Sequence, residues 1–262
     1  MPQPREADRA NADRAELLFD KQTANQPDNR ADPSSDNRAN NSYVIRDGRF
    51  TPAQRRAFTD LWPRYGLIDT LDGDRPVPDL LQAAAFAPHR PLFVDIGFGM
   101  GDALAAQAES EPTVDFIGVE VHRPGIGRVM HCAEQLGLVN LKVVRGDAVQ
   151  VLREGVADGV LAGVQVFFPD PWPKKKHHKR RLINAQTVAL IARKLTAGGL
   201  LHLATDWLPY AEAMAETLAQ VPHFAPVESP PRVTTKYQSR GERLGHTITD
   251  LAFRRTGDCR DD

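Results

Sequence analysis

At 262 residues the chain is long enough for one large α/β domain plus a tail, or for two small domains. Its 33 Lys and Arg against 34 Asp and Glu leave a formal net charge of −1, which excludes a polycation that binds by overall charge alone. No apolar run approaches the ~20 residues of a membrane span, and Met1-Pro2-Gln3-Pro4-Arg5-Glu6 has no apolar core to serve as a signal peptide. The expectation is therefore a cytoplasmic protein with no membrane partner.

Residues 1–41 are rich in Asp, Asn, Arg, Ala and Pro, with Phe19 as their only aromatic side chain. Such a segment cannot bury enough apolar surface to offset its ordering entropy, so a disordered polar extension is expected. Residues 42–256 then form the domain, and 257–262 a short polar tail. Thr51-Pro52-Ala53-Gln54 reads as a helix start: an N-cap, a proline in the first turn and a capping-box partner. The helix should stop before Pro63. Strands are expected at residues 91–96, 115–120, 141–144, 161–168 and 199–204, with a last partly alternating stretch at 247–254. Helices are expected between them, at 102–108, 125–136, 148–153, 183–195 and 207–219. Alternation of strand and helix predicts an α/β fold, a mostly parallel sheet with helices on both faces. Cys132 and Cys259 lie far apart without metal-type spacing, so neither a disulfide nor a bound metal is expected.

Chemistry concentrates where strands end. Asp95-Ile96-Gly97-Phe98-Gly99-Met100-Gly101 joins the first strand to its helix. Its spacing is G-x-G-x-G, not the G-x-G-x-x-G that cradles a pyrophosphate, so a ligand without phosphates fits better. S-adenosylmethionine is one such ligand; a tight turn with no ligand is the plain alternative. Asp95, Glu120, Asp147 and Asp170 each stand at a strand's carboxyl end, where side chains of adjacent strands converge on one crevice. Glu120 is placed to accept from ribose hydroxyls and Asp147 from an adenine amino group. One such acid is often only a helix cap, but four in succession exceed that explanation. The apolar run Val164-Gln165-Val166-Phe167-Phe168 breaks at Pro169, and Asp170, Trp172 and a cationic run follow. Six of the eight residues from 174 to 181 are Lys or Arg, and His177 and His178 complete the run. A carboxylate, an indole and dense positive charge suit a nucleic-acid base with its phosphates. Trp172 either stacks on a base or packs beneath the site. His122 and His202 read as structural.

The ordered set comprises residues 95–101, Gly118-Val119-Glu120-Val121-His122, Gly146-Asp147-Ala148, Phe167-Phe168-Pro169-Asp170-Pro171-Trp172, Lys179-Arg180-Arg181, Ala204-Thr205-Asp206-Trp207, Thr235-Lys236-Tyr237 and residues 240–246. It resembles the motif series of the bacterial tRNA (guanine-N7-)-methyltransferases. The resemblance runs from about residue 43 to 255. It implies a class I methyltransferase, Rossmann-like, three-layer fold with a mostly parallel seven-stranded sheet. It also implies methyl transfer from S-adenosylmethionine to N7 of a guanine in the tRNA variable loop. By the same resemblance Asp95, Gly97, Gly99, Glu120, Asp147 and Asp170 are cofactor-site residues, and Asp170 is also the catalytic acid. Lys174, Asp206 and Thr235 correspond to substrate contacts, and Lys176, His177, His178, Lys179, Arg180 and Arg181 to the RNA-facing run. Asp95 stands where the family usually has Glu, and the extension before Tyr43 is long for the family. Whether the protein is a monomer or a homodimer is left open by the sequence. An exocyclic-amine methyltransferase is the nearest rival, and Asp170-Pro171-Trp172-Pro173 does not match its usual signature. A dehydrogenase is opposed by the glycine spacing, and a silent RNA-binding module by the retained acids.

Overall fold

The computed structural model describes residues 42–43, 51–72, 76–233 and 247–257. The expected 1–41 extension, Thr235-Lys236-Tyr237 and the 240–246 motif lie outside the described residues.

Helix α1 (Pro52–Tyr65) starts as its sequence requires. The Thr51 hydroxyl accepts from the Gln54 N–H, and the Gln54 side chain accepts from the Thr51 N–H in return. It does not stop at Pro63, which lies inside the helix. Burying Tyr65 and packing Trp62 against the apolar cluster beneath this helix outweighs the one backbone bond that proline removes. Then come β1 (Gly66–Asp69), α2 (Leu80–Ala84), β2 (Leu92–Ile96), α3 (Asp102–Ser110), β3 (Asp115–Glu120), α4 (Arg123–Gln135), β4 (Leu141–Arg145), α5 (Ala148–Gly155) and β5 (Leu161–Phe167). A 3₁₀ helix (Lys175–Arg180), α6 (Ala185–Lys194), β6 (Leu195–Thr205), α7 (Leu208–Gln220), β7 (Phe224–Val227) and β8 (Thr249–Arg255) complete the order.

The strands form one sheet in the order β1-β4-β3-β2-β5-β6-β8-β7. Only β8 runs against its neighbours. The described sheet thus has eight strands rather than the expected seven, because β1 adds an edge beside β4. The reason is electrostatic: Arg145, buried at the end of β4, needs a counter-charge, and Asp69 at the end of β1 supplies it through contacts of 2.9 and 3.0 Å. Strand β6 also starts earlier than expected, at Leu195, with an irregular register against Leu161 and Gly163.

Alternating side chains split the core in two. Leu92, Val94 and Ile96 of β2 join the cluster under α2, α5, α6 and α7. Phe93 packs against the opposite cluster, built with α1, α3 and α4. This is the expected three-layer α/β arrangement. Because β2 to β6 run parallel, their carboxyl ends, and the acids on them, share one edge of the sheet.

Candidate active site

Gly97, Gly99 and Gly101 all have positive φ, at 74°, 60° and 76°, so the turn after β2 takes a path that L side chains disfavour. A β-carbon built on Gly97 meets nothing within 4 Å, so this backbone faces open space. Behind the turn the packing is tight: a β-carbon on Gly125 of α4 would stand 1.8 Å from the Gly99 carbonyl oxygen. The glycine at 125 lets α4 press on the turn and fix its depth.

Glu120 ties this turn to the next strand. Its Oε2 accepts from the Gly99 N–H at 2.8 Å, and its Oε1 from the Val121 and His122 N–H groups at 2.7 and 3.1 Å. A carboxylate offers about four acceptor positions, so three backbone donors leave room for a ligand hydroxyl. Burial raises the Glu120 pKa, against the lowering pull of those three bonds. Asp95 stands one strand away, 5% exposed, and burial with the Glu120 charge beside it pushes its pKa up to about 7. Asp147 keeps the helix-cap role: its Oδ1 accepts from the Gln150 N–H at 2.9 Å and begins α5. Its second oxygen remains for other work.

The turn after β5 stands at the same edge of the sheet. Phe167 pairs with Ala204 of β6, and the Phe168 N–H reaches the Ala204 carbonyl at 2.7 Å. Asp170 and the Asp206-Trp207 pair therefore leave the sheet side by side. Asp170 is exposed, Asp206 partly so, and Trp207 is among the exposed large apolar side chains. Phe168 and Trp172 have positive φ, 55° and 43°, which is strained for aromatic residues. Trp172 is partly buried. Its indole N–H donates to the Ser42 carbonyl at 3.3 Å, and the Arg180 guanidinium lies 3.9 Å over its ring.

The basic run is split by the fold. Lys174, Lys175, Lys176, His178 and Lys179 are exposed, while His177 and Arg180 are partly covered. Desolvation, then the charges of Lys176, Lys174, Arg180 and Lys179, lower the His177 pKa. Arg181 departs from the expected RNA-facing position. It is 7% exposed, with Nε donating to the Pro171 carbonyl at 2.9 Å and its guanidinium 4.7 Å over the Tyr210 ring. Tyr210 is buried and accepts the Ile183 N–H, which turns Arg181 inward. Thr235 lies outside the described residues. His202 is structural, as expected: buried, 3.2 Å from Asp250 and edge-on to Phe167. What the sequence missed is Arg232, which holds Asp250 at 2.6 and 3.2 Å and lies 5.4 and 5.2 Å from the Phe167 and Phe168 rings.

Residues 89–251 match the methyltransferase family model Methyltransf_4. A tRNA (guanine-N(7)-)-methyltransferase of Chromohalobacter salexigens is 44% identical over 88% of this chain and 96% of its own length. That of Alcanivorax borkumensis is 46% identical over 81% and 90%. The chain belongs to the tRNA (guanine-N7-)-methyltransferase family. It is a methyltransferase that works with S-adenosylmethionine. The crystal structure of the 16S rRNA methyltransferase KamB shares the fold, with a TM-score of 0.53 at 13% identity over 70% of this chain and 96% of that one.

The residues present fit the cofactor. Two adjoining buried carboxylates, Asp95 and Glu120, suit a ligand that carries ammonium and sulfonium charge and two ribose hydroxyls. The open face of Gly97 suits close approach of that ligand to backbone. Among the described residues, no group of three or more His, Cys, Asp or Glu could hold a metal, and no helix is long and apolar enough to cross a membrane.

Proposed function

We propose that this enzyme methylates N7 of a guanine in the variable loop of tRNA in the cytoplasm, with Asp170 acting on the guanine. The supporting observation is the placement of Asp170. It is an exposed carboxylate on a strained turn, between the acids of the cofactor crevice and a surface run of cations. Bound S-adenosylmethionine supplies an electrophilic methyl group, and the rest of the task falls to the chain.

Guanine N7 carries a free lone pair, so no proton must leave before the new bond forms, and orientation dominates. Asp170 accepts from the guanine N1–H and N2–H, or steadies the positive charge that spreads over the base as methylation proceeds. Lys174 and Asp206 lie on the same rim and contact the substrate. Lys176, His177, His178, Lys179 and Arg180 face the RNA backbone, with the lysines and Arg180 supplying charge to phosphates. Arg180 also keeps Trp172 in place. Asp95, Glu120 and the second oxygen of Asp147 hold the cofactor.

Nuclease mapping of methylated tRNA tests the reaction. The expected product is one N7-methylguanine in the variable loop; an exocyclic or adenine product would overturn it. Asp170→Asn should cut the single-turnover rate sharply with little change in tRNA affinity. A wild-type rate would refute the role given to Asp170.

A further inference from the structure

The 168–172 turn is strained at both ends, at Phe168 and at Trp172, and each end is gripped by an arginine whose side chain is buried. At the far end Arg181 donates to the carbonyl of Pro171, the residue after Asp170, and is carried on the Tyr210 ring. At the near end Arg232 lies over Phe167 and Phe168 and is carried by Asp250, which also meets His202, itself edge-on to Phe167. The Arg232 side chain is 8% exposed and that of His202 1%, while Asp250, at 30%, links them at the edge of the interior. Neither guanidinium is displayed to a phosphate. Strained aromatic residues persist only when their surroundings over-determine them, and these two arginines do so on either side of one carboxylate.

We infer that Arg181 and Arg232 are positioning residues that hold the Asp170 turn in its reactive shape, Arg181 from the Tyr210 side and Arg232 from the Asp250–His202 side. This rests on the reading of Asp170 given above. Both arginines act through the turn and touch no substrate. Each uses the planar guanidinium: one nitrogen or edge for a hydrogen bond, one face for a ring. Lysine keeps the charge but has neither the plane nor the fork. A phosphate contact tolerates that exchange, because lysine serves phosphate as a point charge.

Arg181→Lys and Arg232→Lys in the full-length protein separate the two roles. The expected result is a single-turnover rate, at saturating tRNA and S-adenosylmethionine, at least tenfold below wild type in each variant. tRNA Kd and its salt slope should stay within twofold of wild type. Asp250→Asn, which loosens Arg232 without altering it, should reproduce the Arg232→Lys loss and serves if that variant does not fold. Tyr210→Phe, which keeps the ring but drops the bond to Ile183, should lose less than Arg181→Lys. A wild-type rate in both lysine variants would overturn the inference, as would Arg181→Ala flattening the salt slope by about 0.7–0.9 with no loss of rate. Asp170→Asn run alongside keeps the readings apart. A loss there with none in the lysine variants defeats the positioning role alone, and a wild-type rate there defeats the reading of Asp170.

Discussion

The crevice has two halves that hold charge by opposite means. On the β2–β3–β4 side the groups held at the strand ends are mainly acids, with Arg145 paired to Asp69 at the edge. Glu120 is held by three backbone N–H groups, and Asp147 by the first turn of α5. On the β5–β6–β8 side they are guanidinium groups, laid on Trp172, Tyr210, Phe167 and Phe168 and tied to carbonyls or Asp250. Backbone donors are fixed as soon as a strand and its turn form, so the acid half is rigid by local construction. Rings and guanidiniums meet only across distant stretches of chain, so the cationic half depends on the finished tertiary packing.

Breaking the acid half should have the largest effect where backbone presses on backbone. Gly125→Ala places a methyl 1.8 Å from the Gly99 carbonyl oxygen. Overpacking of this kind costs about 1–3 kcal/mol, and here it is the cofactor turn that must yield. Calorimetry should show S-adenosylmethionine binding abolished, with a smaller drop in melting temperature; wild-type affinity would show that α4 does not set the turn. Next comes Glu120→Ala, which removes the acceptor of the Gly99 turn and, on the proposed reading, of the ligand. Losing a hydrogen bond to a charged group costs about 1.5–3 kcal/mol, so affinity should fall about ten- to hundredfold while the tRNA salt slope stays unchanged.

Proton linkage sharpens the contrast. Asp95 has its pKa raised from 3.8 to about 7, so the free protein favours its neutral form. Its contribution to folding stability is therefore full below about 4 and lost as pH rises through about 7. A cationic ligand favours the ionised form instead. S-adenosylmethionine affinity should rise with pH, by up to about tenfold per unit below 7, and flatten above it. Titrations in buffers of different ionisation enthalpy should detect the released proton; a flat profile would place the cofactor's charge away from Asp95. Asp250 behaves in the opposite sense. Burial acts to raise its pKa, but bonds from His202 and Arg232 and their charge bring it down to about 2. It stays ionised across that whole titration, so its hold on Arg232 should show no matching pH dependence.

On the surface of the cationic half, replacing Lys175, Lys176 and Lys179 by Ala should weaken tRNA binding and reduce the log–log salt slope by about 0.7–0.9 for each phosphate that is no longer neutralised. Turnover at saturation should change little. The smallest effect is expected at the N-terminus: removing residues 1–40 should leave melting temperature and both affinities unchanged. Extending the cut through Tyr43 removes the carbonyls that Trp172 and Arg180 use, and a drop in tRNA affinity should appear there.

The same contrast governs what the sequence discloses. The capping box at Thr51 and Gln54 was legible because its two partners are three residues apart. Three of the four acids were legible because a glycine or proline next to them marks the strand's end: Gly97 for Asp95, Gly146 for Asp147 and Pro169 for Asp170. Pro63 misled because tertiary burial of Tyr65 carries the helix past it. Strand β1 escaped notice because four residues show no period, and its reason for pairing is an arginine far along the chain. Arg180 and Arg181 look alike in a basic run. Only the position of Tyr210 decides that one faces outward over Trp172 and the other is buried. Arg232 and Asp250 carry no motif at all, and their meaning comes from the rings they meet.

The place of Asp250 in the chain also bears on synthesis. It is residue 250 of 262, on the last strand, which slots between β6 and β7. Translation at ~5–20 residues per second leaves roughly 4–16 s between the making of Asp170 and the making of its distant brace. A nascent chain thus carries all four strand-end acids before it can steady the turn that uses the last of them. If Arg232 and Asp250 brace the Asp170 turn as inferred, competence arrives with strand β8.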